Sequence, residues 1–151
     1  MKNLILALSL FVSFSSISQI KVIERSESEQ IGKITPGGIK TIECEKAGDT
    51  YYFNYKDAKF TTLENRKTFK IKDVDNAFET LYMLIQKGFE EMPKEDIMIE
   101  TNEGFIWLNF EKFLGAKVFR IYHSVDKNSN VMGATGQYTK KQVDKLFGKT
   151  K

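Results

Sequence analysis

Apolar residues change their spacing along this chain, and that change decides what it can fold into. Tyr51, Phe53 and Tyr55 fall at every second position, the period of a half-buried strand. Val74, Phe78, Leu81, Tyr82, Ile85, Phe89 and Met92 then recur every third or fourth position, forming the single stripe of an amphipathic helix. From Ile97 onward the alternation returns, with Ile97 and Ile99 followed by Ile106, Leu108 and Phe110. A chain of this pattern buries its apolar surface by packing helix against sheet.

Turn chemistry divides the strand regions. Residues 20–23 form a short strand candidate, and residues 24–30 read as a loop or an exposed edge. Thr35-Pro36-Gly37-Gly38 is a turn, because Pro presets φ and Gly supplies positive φ. Strands follow at 39–45 and 51–55, and a hairpin around Glu64-Asn65-Arg66 joins 60–63 to 67–71. These connections are too short for helical crossovers, so the strands run as an antiparallel meander. Asp73 is placed to cap the helix, and Met92-Pro93 ends it. Gly88 sits on the helix's core-facing side, which predicts close approach of a neighbouring strand. Three more strands, at 96–100, 105–113 and 116–125, precede a polar loop at 126–138. A capping box, Thr139 to Gln142, opens a final helix with Val143, Leu146 and Phe147 as its stripe and Gly148 as its stop. The predicted architecture is a two-layer α+β domain: an antiparallel β-meander sheet of six to eight strands with two helices packed on one face. Phe53-Asn54-Tyr55-Lys56 and Leu108-Asn109-Phe110-Glu111 echo each other, so two diverged ββα halves are an alternative organisation.

The first residues carry an address. Lys2, the apolar run 4–14 and Ser16-Ile17-Ser18 have the layout of a secretory signal peptide, cleaved before Gln19. The run is about eleven residues, short of the ~20 that cross a bilayer as a helix, so no transmembrane span is expected. Residues 19–151 then form one domain working in the periplasm, on the outer surface or in the medium. A domain of about 130 residues buries roughly two-thirds of its unfolded surface and needs no metal or disulfide staple. Cys44 stands alone, so no intramolecular disulfide can form, and Glu43 and Glu45 disfavour its thiolate.

Several function classes fall away on composition and spacing. The 23 basic and 20 acidic residues are interspersed, and only Arg25, Arg66 and Arg120 are arginines, which speaks against nucleic acid. One histidine and one cysteine exclude the His-rich and Cys-rich zinc sites. Asp126-Lys127-Asn128-Ser129-Asn130 begins like a calcium loop, but Val131 replaces the turn glycine and Gln137 the bidentate glutamate. Gly133-Ala134-Thr135-Gly136, ahead of Lys140 and Lys141, could present amides to an anion but lacks a phosphate-loop ending. We expect no metal, no cofactor and no catalytic set. His123 alternates with Phe119, Ile121 and Val125 on the apolar face of its strand and reads as a core or core-edge histidine.

An aromatic face remains. If Tyr51, Phe53 and Tyr55 face the helices, Tyr52 faces away; if Ile106, Leu108 and Phe110 face them, Phe105 and Trp107 face away, with Tyr122 and Val118 on the next strand. Open antiparallel faces are normally polar, and an exposed apolar patch marks an interface or a ligand site. The alternative is that N-terminal strands or a loop cover this face as a second small core. The expected function is an exported, non-enzymatic binding domain using Tyr52, Phe105, Trp107 and Tyr122 toward a protein, a glycan or a small apolar molecule. Its competitors are a small secreted hydrolase using carboxylates or His123, and a structural envelope protein.

Overall fold

The computed structural model describes residues 27–60, 65–101, 103–125 and 132–150. The fold is α+β, built from two antiparallel four-stranded sheets and two helices. The first sheet comprises β1 (Glu29–Ile34), β2 (Ile42–Ala47), β3 (Thr50–Lys56) and β4 (Arg66–Lys72), in that order. Helix α1 (Ala77–Glu91) follows. The second sheet comprises β5 (Ile97–Thr101), β6 (Gly104–Phe113), β7 (Ala116–Ser124) and the two-residue β8 (Gly133–Ala134), and helix α2 (Lys140–Leu146) closes the chain.

The strands among the described residues number eight, but they divide into two sheets where one was expected; the strand expected at 20–23 lies outside the described residues. The break falls between β4 and β5, where α1 intervenes and packs against β4, β6 and β7 together. Each sheet turns an apolar face toward the helices, and one cluster of buried residues runs through both. Tyr51 stacks on Phe78 at 3.8 Å, and Phe53 on Phe69 at 4.7 Å. On the other side, Ile106, Leu108 and Ile121 meet the same cluster as Ile85 and Phe89 of α1. Helix α2 packs on β1, β2 and β7.

The α1 stripe holds at Phe78, Leu81, Ile85 and Phe89, all buried, whereas Val74 precedes the helix and is exposed. Asp73 is not the capping residue, since Asp75 and Asn76 adopt left-handed backbone before the first turn. Its carboxylate nevertheless accepts the Phe78 N–H at 3.1 Å, satisfying a first-turn amide from further upstream. Gly88 is required by contact: a Cβ there would lie 2.1 Å from the Phe110 ring. Lys117 of β7 donates to the Phe89 carbonyl at 2.7 Å, closing the helix's other end. The α2 capping box forms as expected, and Gly148 follows at φ 68. Asp144 ties the helices together, accepting from Tyr82 at 3.0 Å and Gln86 at 2.9 Å.

The expected strand at 60–63 is not found at Phe60, which lies outside any strand with its ring partly exposed; 61–64 lie outside the described residues. Instead β4 pairs directly with β3, Phe69 opposite Phe53. The echoed strings fall on β3 and β6; β4 and α1 follow the first, and β7, β8 and α2 the second.

Candidate functional site

Pairing in the second sheet sorts its side chains into two faces. Ile106, Leu108 and Phe110 of β6 point inward and are buried, so Phe105, Trp107 and Asn109 point outward. Trp107 pairs with Tyr122 on one side and Met98 on the other, which puts three large side chains in one row across β5, β6 and β7. Phe105 lies against Trp107 with ring centroids 6.2 Å apart and planes at 42°. Met98 is 45% exposed, while the three rings are half-buried. The result is a half-buried aromatic platform on the outer sheet face, where Val118 and Ser124 also lie and are buried.

Tyr52 is separate. It lies on the outer face of the first sheet between Glu45 and Lys70, with the Lys70 ammonium 5.7 Å from its ring centroid. The same ammonium pairs with Glu103, in the β5–β6 turn, at 2.8 Å. Lys70 thus links Tyr52 to the platform's hairpin.

Polar side chains that we did not single out from sequence border the rings. Asn109, two residues beyond Trp107 on the same face, donates to Asp96 at 2.8 Å. Arg120 pairs with Asn109 across the strands and sits 5.9 Å over the Tyr122 ring. Glu111 accepts from Gln137 at the same margin. The tight turn after Thr101 carried the signal for Met98 and Asp96, because it sets β5 in register with β6.

The other candidates resolve into structure. His123 Nδ1 lies 3.3 Å from the Tyr55 hydroxyl, and its ring packs on Tyr55 and Phe69 of the first sheet. Burial and the nearby Lys67 lower its pKa. Gly133 and Ala134 form a buried strand, not an open loop, so the anion site suggested there is filled by the protein's own carboxylate. Asp57, with no exposed side-chain surface, accepts from Ala134 N–H at 3.2 Å and Lys59 N–H at 3.1 Å, and pairs with Lys67 at 2.9 Å. Burial pushes the Asp57 carboxyl up, but these partners outweigh it and hold the group below its ordinary range. Tyr55, Asp57, Lys67 and His123 together join β3 and β4 to β7 and β8. Cys44 is fully buried, and burial with Glu45 pushes its thiol up to about 12, leaving almost no thiolate at neutral pH.

Residues 126–131, with the calcium-like string, lie outside the described residues. Among the described residues, no group of three His, Cys, Asp or Glu side chains could hold a metal ion, and no helix is long and apolar enough to cross a membrane. A cleft of about 300 Å³ lies between α1, the end of β4 and β5, and another of about 280 Å³ lies beside Asp57; the platform's four large side chains line neither. No protein-family model, curated protein or solved structure matches the chain.

Proposed function

We propose that this protein is an exported, non-enzymatic binding domain that takes its ligand on the outer face of the second sheet. One observation carries the proposal: Met98, Trp107 and Tyr122 form a continuous row, with Phe105 beside it, on a face that the helices do not cover. Rings with a polar tip suit such a surface, since they offer wide apolar contact and keep a hydrogen-bonding edge in water. None of these four side chains belongs to the buried cluster that the inner face joins. Export rests on the layout of residues 1–18.

Two measurements test this function. Intact mass of the protein recovered outside the cytoplasm should place its first residue at or near Gln19; a cytoplasmic species beginning at Met1 refutes export. Trp107 is the only tryptophan and reports on the face directly. Acrylamide should quench it in the free protein, and Trp107→Ala should keep the melting temperature within a few degrees. A shielded indole, with Trp107→Ala unfolding the domain, would make the platform a second core.

A further inference from the structure

The second sheet's outer face carries two kinds of row side by side. Met98, Trp107 and Tyr122 make the apolar row. One step along the strands lies a row of planar polar groups, Asp96, Asn109 and Arg120, followed by Glu111. We infer that the ligand of this face is a saccharide of flat, equatorially substituted pyranose rings, its C–H face on Trp107 beside Tyr122 and its hydroxyl edge on Asp96, Asn109 and Arg120. This inference rests on the binding role proposed above and supplies the chemical class of its ligand.

Three features select this class. A pyranose with equatorial hydroxyls is apolar on its faces and polar around its rim, so it matches an aromatic row bordered by polar groups. Each hydroxyl both donates and accepts, and the bordering row offers both: carboxylate acceptors, an amide of both kinds and a guanidinium donor. The row is also preorganised. Asn109 donates to Asp96 at 2.8 Å, and Arg120 lies over the Tyr122 ring, so both polar groups are positioned before a ligand arrives. Asp96 and Glu111 outnumber Arg120 along this border, so it leans acidic and suits a neutral saccharide better than an anionic one. A small apolar ligand would want enclosure, and Met98, Phe105, Trp107 and Tyr122 line neither of the two clefts described above.

Titration with cellohexaose and chitohexaose, following Trp107 fluorescence and heat, tests the class, with maltohexaose as the α-linked, coiled control. We expect a saturable change in Trp107 emission with at least one β-linked chain and a weaker response to maltohexaose. Trp107→Ala should abolish the heat of binding, and Asn109→Ala should weaken binding about tenfold while leaving the melting temperature unchanged. If acrylamide quenches Trp107 but both β-linked chains leave it and the calorimeter silent, the saccharide assignment is overturned while the open face stands. Shielding of Trp107 that grows with protein concentration, alongside a dimer by sedimentation, overturns it in favour of a second copy of this chain. A Trp107 shielded in the monomer removes both the assignment and the binding role.

Discussion

In the first sheet the rings face inward. Tyr51, Phe53, Tyr55 and Phe69 are all buried, and the outward positions hold Glu45, Asn54, Thr68 and Lys70, with Tyr52 alone among them. The second sheet reverses this over most of its area. Ile106, Leu108 and Ile121 fill its inner face, Phe110 and Phe119 appear only beside Phe89, and Phe105, Trp107 and Tyr122 face out. Both inner faces meet the same cluster, so aliphatic and aromatic side chains serve equally well as core volume. What differs is the outer face. A polar outer face needs no explanation, whereas an aromatic one calls for a role beyond folding.

The largest effect that could break this contrast is on stability. Phe53 has no exposed surface, and its ring meets Phe69, Phe78 and Phe147 at centroid distances of 4.7, 6.3 and 5.6 Å. Phe53→Ala should cost about 3–5 kcal/mol in urea unfolding, through lost burial and the cavity it leaves. If Trp107→Ala costs the same, the two sheets do not differ in the way described, and the outer rings are a core.

Much of this was legible in the residues, and the reasons for the misses are physical. Alternation at Tyr51 to Tyr55 and at Ile106 to Phe110 assigned faces correctly, because period two survives wherever one face is buried. Gly88 announced the approach of Phe110 because no other residue fits there. Lateral pairing was not legible. Nothing in the period of β4 or β5 says whether they hydrogen-bond to each other, so one sheet and two read alike. Phe60 misled because an aromatic residue after a turn resembles a strand start, although it belongs to no strand in the fold. Asp57 was silent because its three partners, Lys59, Lys67 and Ala134, lie at unrelated distances along the chain. Tyr52 has the parity of the outer rings but the other sheet, a distinction that parity alone cannot make.

The junction between the sheets offers a smaller effect, read with pH. His123 reaches from β7 to Tyr55 and Phe69, with Tyr55 hydroxyl, Lys67, Asp57 and Glu103 as the polar and charged groups nearby. Burial and Lys67 lower its pKa below the ordinary 6.5, so the unfolded chain takes up this proton more readily than the folded one. The stabilisation is complete above pH 6.5 and is lost as pH falls through the folded pKa. Asp57, also lowered from its ordinary 3.8, contributes only at more acidic pH, so the two windows separate. Melting temperature should therefore decline between pH 7 and pH 5 in the native protein, and His123→Gln should flatten that slope. An unchanged slope in the variant would show that the junction does not hold His123 neutral.

The smallest effect is the most specific to the second sheet. Met98 lies opposite Trp107 in the apolar row, is 45% exposed, and has Asp96 and Glu100 two residues away on the same face. A lysine there can keep its stem on the ring and its ammonium in water near those carboxylates. Met98→Lys should change unfolding free energy by no more than about 0.5 kcal/mol, as expected of a surface site. The same charge should weaken any ligand that seats on the apolar row, because it must be desolvated when the row is covered. A loss of several kcal/mol on Met98→Lys would mean that the row is packed rather than open. Unchanged stability with unchanged binding would move the ligand off this row, to the Phe105 end of the face or away from the second sheet altogether.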